Sequence, residues 1–323
     1  MALLVFTAFS GYDSQCMALD RIGIDYELVG WSEIDKYAIA AHNAVYPQYA
    51  GSNYGDISRI DWAQVPDFDL FTYSSPCQDF SAAGLQRGGT KGSGTRSSLL
   101  WECERAIAAK RPKYLLFENV AALVSQKFIR LFNEWQLLLE RMGYTNFTQV
   151  LNAKDYGVPQ NRERVFMVSI LDFEQPYYFP KPAPLTKRLK DVLEDNIPEE
   201  YNLSRRMLEW LEEHNENHKA KGTGFIFKPK DGNEIANTLR ANGALNATDN
   251  TIQETNGIRK LTPKECFRLM GVADTDSDKI IAVLSKSRCY QVAGNSIVVD
   301  VLAAIFDQLF NGNRNTNQQT ELF

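Results

Sequence analysis

A cysteine and a glutamate stand where the side chains of α/β sheets commonly do chemistry. Cys77 follows the aromatic and β-branched run 68–73, and Glu118 follows the continuous apolar run 114–117. We predict that both runs are neighbouring parallel strands, so the thiol and the carboxyl group meet at the carboxyl edge of the sheet. A thiolate is the reactive, nucleophilic form of cysteine. The shared position favours a functional role for both residues over a buried thiol and a helix cap.

Two arginines follow in a later extended segment. Arg162 and Arg164 are two residues apart, a spacing that places both side chains on one face of a strand. Solvated surface arginines are the simplest interpretation. A pair on one face, beside the otherwise apolar run 164–170, is better suited to binding an anion or a carbonyl oxygen.

The start of the chain predicts a nucleotide-binding unit. An apolar strand at 3–9 leads through a small-residue turn to a helix at 15–21, and Gly11 in that turn lets the backbone approach a ligand. A second strand at 26–31 ends beside Glu33, where an acidic residue is placed to accept hydrogen bonds from ribose hydroxyls. Further strands are predicted at 114–117 and, as a hairpin-like return at the sheet edge, at 144–151 and 164–170.

Five ordered motifs make the chain resemble the DNA cytosine-5 methyltransferase family of the bacterial and phage type. They are Pro76-Cys77-Gln78, Phe117-Glu118-Asn119-Val120, Gln160-Asn161-Arg162-Glu163-Arg164-Val165, the run 259–271 and Ala293-Gly294-Asn295-Ser296-Ile297. The resemblance covers the first half of the chain and its last part. It implies an α/β fold, with a Rossmann-like S-adenosylmethionine-dependent methyltransferase domain and a small, irregular target-recognition domain.

The resemblance also implies how the chain is divided. Residues 1–175, completed by 272–323, are expected to form the catalytic and cofactor-binding domain, and residues 176–271 the target-recognition domain. The composition agrees with a boundary after Asp172, because four prolines between 176 and 184 indicate a linker. Asn-Gly and Asp-Gly pairs then predict a turn-rich second lobe, and such loops often carry recognition residues.

The chemistry implied is methyl transfer from S-adenosylmethionine to C5 of a flipped-out cytosine in a specific double-stranded DNA sequence. Cys77 would form a covalent bond to C6, Glu118 would assist at N3, and Arg164 would stabilise charge at O2 with Arg162 in support. The base must leave the duplex, because none of these groups can reach it in the stack.

Binding residues follow from the same resemblance together with the strand-end pattern. Cofactor contacts are expected from Phe9, Ser10, Gly11, Tyr12, Asp13, Glu33, Ile34, Asp56, Ile57, Pro76, Leu99, Asn295, Ser296 and Ile297. DNA contacts are expected from Ser81, Gln86, Arg87, Arg96, Gln160, Arg240 and Asn242. Asp13 stands where the family's turn usually has a glycine. An acidic residue there disfavours a pyrophosphate but suits the sulfonium and amino groups of S-adenosylmethionine.

The amino-acid composition limits which partners, metals and cellular compartments are expected. The net charge of −5 argues against a uniformly basic nucleic-acid binder, but the arginines and lysines concentrate after Cys77, which allows one basic face. Five cysteines and three histidines lack metal-ligand spacing, so no metal and a reducing compartment are expected. We expect no apolar run to be long enough to span a membrane, and the start lacks the features of a signal sequence. We therefore expect a cytoplasmic, nucleoid-associated protein in a bacterial cell, with no membrane partner.

Three other functions remain open from the sequence. A tRNA cytosine-5 methyltransferase shares this chemistry, and a methylation assay on DNA and RNA separates the two. A catalytically silent nucleic-acid-binding module is disfavoured by the intact cysteine, glutamate and arginine set. A nicotinamide dehydrogenase on a similar sheet is disfavoured because the Gly-x-Gly-x-x-Gly turn is absent. The family resemblance also allows a cognate restriction endonuclease that acts on the same DNA site.

Overall fold

A computed structural model describes residues 1–74, 99–173, 176–222, 226–241, 250–255 and 257–312. Within them the backbone divides into two compact units. The first comprises residues 1–152, 163–181 and 301–323, and the second comprises residues 153–162 and 182–300. Contacts alone do not assign a function to either unit, so the recognition role of 176–271 stays a prediction.

The first unit is built on a six-stranded sheet. Its strands are β1 (Leu3–Ala8), β2 (Tyr26–Ser32), β3 (Leu70–Tyr73), β4 (Tyr114–Val120), β5 (Tyr144–Asn152) and β7 (Glu163–Leu171). They lie in the order β2-β1-β3-β4-β7-β5. The pairs β1/β2, β1/β3 and β3/β4 are parallel, whereas β7 is antiparallel to both β4 and β5. The predicted return at the sheet edge is confirmed, and the carboxyl ends of β3 and β4 are adjacent.

Helices α1 (Ser14–Arg21), α2 (Lys36–Val45), α3 (Leu100–Lys110) and α4 (Ile129–Arg141) accompany this sheet. The central strands are apolar on both sides, as expected where helices cover a parallel sheet. Fully buried aromatic side chains, among them Phe71, Phe117 and Trp135, form the core with the inward residues of α3 and α4. This core supports the edge of the sheet at which Glu118 emerges.

The second unit has short strands and more turns. Strands β6 (Gln160–Asn161) and β8 (Ala236–Asn237) pair in parallel, and β9 (Thr251–Glu254) pairs antiparallel with β10 (Gly257–Lys260). Its helices are α5 (Arg205–Lys221), α6 (Pro263–Leu269), α7 (Asp274–Val283) and α8 (Lys286–Asn295). Helix α9 (Val299–Phe310) follows in the chain, and from Val301 onward it belongs to the first unit. Thr262 caps α6 through a reciprocal hydrogen-bond pair with Glu265, as the sequence Thr-Pro-x-Glu indicates.

A buried ion pair stabilises this turn-rich region. Arg259 and Glu265 are 1% and 0% exposed and form a bidentate pair at 2.8 and 2.9 Å. The Glu265 carboxylate also accepts hydrogen bonds from the backbone N–H groups of Thr262 and Glu194. Because both charged groups are fully partnered, a small domain with few regular strands can keep them inside.

One expectation about membranes needs a correction. The stretch Lys286–Phe310, which comprises α8 and α9, is long and apolar enough to cross a membrane by length and composition. However, 72% of its apolar window is buried inside the protein, which is also typical of the core helix of a globular fold. Among the described residues, no group of three or more histidine, cysteine or acidic side chains could hold a metal ion.

Candidate active site

The carboxyl edge of β3 and β4 brings three polar side chains together. The Ser74 hydroxyl donates to Glu118 Oε2 at 2.7 Å, and Arg164 Nε lies 3.1 Å from Glu118 Oε1. Glu118 is on β4 and Arg164 on β7, where the antiparallel register places Val120 opposite Arg164. The Glu118 side chain is 7% exposed and that of Arg164 is 16% exposed. A carboxylate with one hydroxyl and one guanidinium partner is thus held at the sheet edge.

Cys77 and its neighbour Pro76 lie outside the described residues, and so do Ser81, Gln86, Arg87, Arg96 and Asn242. The chain reaches that segment through Ser74, whose hydroxyl is bonded to Glu118. The other four cysteines are Cys16, Cys103, Cys266 and Cys289, and all are buried. Burial raises the pKa of Cys16 and Cys103 well above the ordinary thiol value and that of Cys289 to about 11. These three thiols are therefore protonated at neutral pH and poor nucleophiles.

The turn after β1 meets the end of β2. Glu33 Oε2 accepts from the Gly11 backbone N–H at 3.1 Å, while Oε1 accepts from the N–H groups of Ile34 and Asp35 at 2.8 and 2.9 Å. Gly11 has φ +59, and nothing lies within 4 Å of the position a Cβ would take. This glycine leaves open space beside a half-buried carboxylate, as a nucleotide-binding turn requires.

Asp13 is buried among groups of its own unit, whereas the sequence predicts that it contacts the cofactor. Its side chain is fully buried, accepts hydrogen bonds from Thr7 Oγ1 at 2.9 Å and Cys16 N at 3.3 Å, and lies 3.4 Å from His42 Nε2. The residue is the left-handed N-cap of α1, with φ 66 and ψ 56. Aspartate tolerates that conformation, and its carboxylate accepts hydrogen bonds from buried donors that would have no such acceptor if the residue were glycine. The Asp13 carboxylate is therefore directed at buried groups of its own unit, and it is not proposed as a ligand of the sulfonium.

The remaining predicted cofactor residues of the first unit fall into two groups. Asp56 is 40% exposed at its side chain, and its hydrogen bonds from the Ser58 hydroxyl and backbone N–H hold the pKa of the carboxyl below its usual range. Ile34 is 69% exposed. By contrast, Ile57 is 3% exposed within the main core cluster, and Leu99 packs against that cluster at the start of α3. Packing in the core explains why Ile57 is buried, and no contact with the adenine ring of the cofactor is needed to explain it.

Three further cofactor predictions belong to the turn itself. Phe9 has φ 54 and packs against the core, and Tyr12 is completely buried. Ser10 is 3% exposed, and its hydroxyl has no hydrogen-bond partner within the part of the chain that the structure describes. Such a buried hydroxyl is the kind of group that a bound polar ligand satisfies.

In the second unit, two predicted contact residues have structural partners instead. Arg162 is 3% exposed and donates to the carbonyl oxygens of Leu239, Gly294 and Ser296 at 2.8, 3.0 and 2.7 Å. Gln160 is fully buried; its Nε2 donates to Leu269 O at 2.7 Å, and its Oε1 accepts from Leu239 N at 2.9 Å. We correct both assignments: Gln160 has no side-chain surface for DNA, and the Arg162 guanidinium is directed at backbone carbonyls.

The other predicted residues of this unit are more accessible or lie beside those carbonyls. Asn295 is exposed at the end of α8, whereas Ser296 and Ile297 are buried. Arg240 is half-buried and directly follows Leu239.

Comparisons with known proteins agree with this arrangement. The family model described as C-5 cytosine-specific DNA methylase matches residues 5–311. The chain belongs to the C-5 cytosine-specific DNA methylase family. It is 37% identical to the type II methyltransferase M2.ScrFI of Lactococcus lactis subsp. cremoris, over 95% of this chain and 99% of that protein. It is 32% identical to the type II methyltransferase M.NlaX of Neisseria lactamica, over 94% of this chain and 95% of that protein.

Solved structures support the fold. The Schizosaccharomyces pombe Dnmt2 methyltransferase superposes with a TM-score of 0.78 at 20% identity, covering 97% of this chain and 99% of that one. A prophage-encoded DNA modification methyltransferase from Escherichia coli, described as putative, gives 0.66 at 19% identity, over 96% and 99% of the two chains. The predicted Rossmann-like methyltransferase fold is confirmed.

This methylase is therefore a DNA (cytosine-5-)-methyltransferase, with relatives from restriction-modification systems. The family implies S-adenosylmethionine as the methyl donor and double-stranded DNA as the substrate.

Two hydrogen-bond partners of the predicted site residues were not predicted from the sequence. Ser74, the partner of Glu118, directly precedes Ser75-Pro76-Cys77, so its position offered a signal that was not used. Asn53 accepts from Glu33 N at 3.2 Å and donates to Glu33 O at 3.1 Å. It lies in a short polar loop, where an asparagine has no distinguishing sequence pattern.

Proposed function

We propose that this methyltransferase transfers a methyl group from S-adenosylmethionine to C5 of a flipped-out cytosine in a specific double-stranded DNA sequence. The reaction runs through a covalent bond between Cys77 and C6 of the base. The observation that carries this proposal is the Glu118 carboxylate, which is bonded to Ser74 and Arg164 at the sheet edge. Ser74 precedes Cys77 by three residues, so the chain enters the nucleophile's segment directly beside the proposed acid–base group.

The proposed reaction begins with the addition of Cys77 to the cytosine ring. The Cys77 thiolate forms a bond to C6, the π electrons of the C5–C6 bond shift into the C4–C5 bond, and those of the C4–N3 bond move onto N3, so that C5 becomes an enamine-like nucleophile. Glu118 hydrogen-bonds or protonates N3, and Arg164 stabilises the charge that develops at O2. C5 then bonds to the methyl carbon while the carbon–sulfur bond of the donor breaks. A solvent base takes the C5 proton, the C5–C6 double bond forms again as Cys77 leaves as a thiolate, and N3 returns its proton to Glu118, which restores the aromatic ring.

The residues of the first unit fit the cofactor. Bound S-adenosylmethionine supplies an electrophilic methyl group. Glu33 accepts three backbone N–H groups and, since a carboxylate offers about four acceptor positions, keeps capacity for a ribose hydroxyl. The Ser10 hydroxyl and the exposed Asp56 carboxylate add a buried donor and an ionised acceptor. The space beside Gly11 lets the backbone approach the ligand.

DNA recognition is proposed to rest on residues 176–271, with Arg240 and Asn242 as base readers. An arginine suits guanine and an asparagine suits adenine in the major groove. Exchanging this segment for that of a relative should change which sites are methylated. A folded, active chimera that keeps its original target would place recognition elsewhere. We also propose a cognate restriction endonuclease that acts on the same DNA site.

Trapping of a covalent enzyme–DNA complex tests the proposed bond between Cys77 and C6. A duplex with 5-fluorocytosine at the target can accept the methyl group but has no C5 proton to lose, so the enzyme should remain bonded to C6. A denaturation-resistant complex that requires S-adenosylmethionine is expected from the wild type. It should be absent from Cys77→Ser, because a serine hydroxyl is mostly un-ionised at neutral pH and a weaker nucleophile.

The controls come from the buried thiols. Replacing Cys16, Cys103, Cys266 or Cys289 singly by alanine should leave trapping intact, since each of these thiols is buried. Trapping that persists in Cys77→Ser would refute the assigned nucleophile. Methylation of tRNA but not of DNA in a parallel assay would refute the assigned substrate.

A further inference from the structure

The backbone of Leu239 is held from both sides by two side chains of one short segment. Gln160 Oε1 accepts from Leu239 N at 2.9 Å, and Arg162 donates to Leu239 O at 2.8 Å. Both side chains are buried, at 0% and 3% exposure. A single peptide position is thus attached to residues 77 and 79 positions earlier in the chain.

The attachment extends along the neighbouring residues. Strands β6 and β8 pair in parallel, with Gln160 opposite Ala236 and Asn161 opposite Asn237. Ala236 N donates to Pro159 O at 2.8 Å, and the Thr238 hydroxyl donates to Asn161 O at 2.7 Å. Residues 236–239 are therefore bonded to residues 159–162 at successive positions, through both backbone and side chains.

The next residues meet a second support. A Cβ on Gly294 would lie 2.5 Å from Ala241 N, a distance that real Cβ atoms do not adopt. Only glycine permits the backbone at Arg240 and Ala241 to approach α8 this closely. Arg162 joins the two supports, because it also donates to Gly294 O at 3.0 Å and Ser296 O at 2.7 Å.

We propose that Gln160 and Arg162 are positioning residues for DNA sequence recognition: they hold residues 236–241 in place so that Arg240 is presented to the bases in one orientation. This inference rests on the proposed function, in which Arg240 reads the target. It assigns the two residues to discrimination between DNA sites, and not to direct contact with the cytosine or the phosphates.

The chemistry explains why these two residue types are needed. A guanidinium offers five N–H donors in a rigid plane, so it can reach carbonyl oxygens from two segments at once. An ammonium on a flexible stem cannot reproduce that planar arrangement. The glutamine amide supplies one donor and one acceptor together, which matches a backbone carbonyl on one side and a backbone N–H on the other.

The test measures site preference. Bisulfite sequencing of DNA treated with the wild type defines the target, and initial rates are then compared on duplexes with the target or with one mismatched base pair. A mismatch typically weakens specific recognition by about 5–150-fold. We expect the ratio of target to mismatch kcat/KM to fall about tenfold in Arg162→Lys and by a smaller factor in Gln160→Met.

A matched control uses an arginine of the same unit. Arg188 donates to the carbonyl oxygens of Leu185 and Lys187, both at 2.9 Å, so Arg188→Lys makes the same chemical change away from Leu239. Its target-to-mismatch ratio should equal that of the wild type. If Arg162→Lys fails to fold, Gln160→Met and Thr238→Val, which each remove hydrogen bonds to the same segment, carry the test.

Two outcomes overturn the inference. One is a folded variant with slow turnover and unchanged discrimination, which would make Arg162 part of the chemistry. The other is unchanged discrimination with unchanged turnover, which would make the contacts irrelevant to recognition. Failure of the proposed function is distinguishable, because the wild type itself would then methylate no DNA.

Discussion

Arg162 and Arg164 are two residues apart, yet they serve two different regions of the molecule. Arg164 lies on β7 of the first unit, 16% exposed, with its guanidinium on the Glu118 carboxylate. Arg162 lies in the second unit, 3% exposed, with its guanidinium on three backbone carbonyls. One arginine faces a group that can take part in a reaction, and the other holds backbone in place.

The difference arises from where the chain changes sheets. β6 ends at Asn161 and pairs with β8, whereas β7 starts at Glu163 and pairs with β4 and β5. Arg162 is the residue between the two strands. Alternation along one continuous strand would have put both side chains on the same face, but the change of partner at this point separates them. We therefore propose a chemical role for Arg164 and a positioning role for Arg162.

The largest expected effect concerns the region around Arg164. Glu118→Gln keeps the size of the side chain and one accepting oxygen for Ser74 or Arg164, but it cannot transfer a proton, so kcat should fall by about 10²–10⁴-fold. Ser74→Ala removes a single hydrogen bond to the same carboxylate and should reduce kcat less, about tenfold. Single-turnover methylation at saturating cofactor measures both. A Glu118→Gln enzyme within tenfold of the wild type would remove Glu118 from the chemistry.

The loss of folding stability should be larger at Arg162 than at Arg164. Arg162→Met leaves three buried carbonyl oxygens without their donor, and each buried unsatisfied group costs about 1–3 kcal/mol, so unfolding should become easier by at least about 3 kcal/mol. Arg164→Met should cost about 1.5–3 kcal/mol, because Glu118 loses a hydrogen bond from a charged group but keeps its bond from Ser74. Urea unfolding of both variants decides the matter. Equal losses, or a larger loss for Arg164→Met, would contradict the assigned roles.

The strands of the first unit are predicted from the sequence better than the contacts of the second unit. A short continuous apolar run such as 114–117 is typical of a buried parallel strand. The carboxyl end of that strand gives the position of Glu118. The roles of Gln160, Arg162 and Asp13 depend on partners far along the chain or on an unusual backbone angle, such as φ 66 at Asp13. Local patterns carry no information on partners of this kind, so their burial could not be foreseen.

Cofactor affinity offers an intermediate test in the first unit. Glu33→Ala removes the acceptor proposed for a ribose hydroxyl and also the partner of Gly11 N. A hydrogen bond to a charged group contributes about 1.5–3 kcal/mol, so the Kd for S-adenosylmethionine should rise by about 10–150-fold. Glu27→Ala, an exposed change on the same strand β2, is the matched control and should leave the Kd unchanged. Calorimetric titration that gives the same Kd for Glu33→Ala and the wild type would retire the assignment, whereas DNA binding should be retained in both variants.

The smallest expected effect is a pH dependence of stability in the second unit. Cys289 lies on α8, the helix that ends at the carbonyls bound by Arg162, and burial raises the pKa of its thiol to about 11. Below about pH 8.5 the thiol is protonated in the folded and the unfolded chain, and its contribution to stability is fully present. Between about pH 8.5 and 11 the unfolded chain loses the proton while the folded chain keeps it, so stability falls as pH rises.

Each pKa unit corresponds to about 1.4 kcal/mol, so the loss from this thiol should reach about 2 kcal/mol at pH 10. Cys289→Ala should remove that part of the decline, which is measured as the difference between the urea midpoints of variant and wild type from pH 8 to pH 10. Burial also raises the pKa of neighbouring Tyr290, but that residue is present in both proteins and cancels in the difference. Parallel pH profiles for the two proteins would mean that the Cys289 thiol is accessible to solvent, and that α8 does not pack at the Arg162 carbonyls as tightly as its burial indicates.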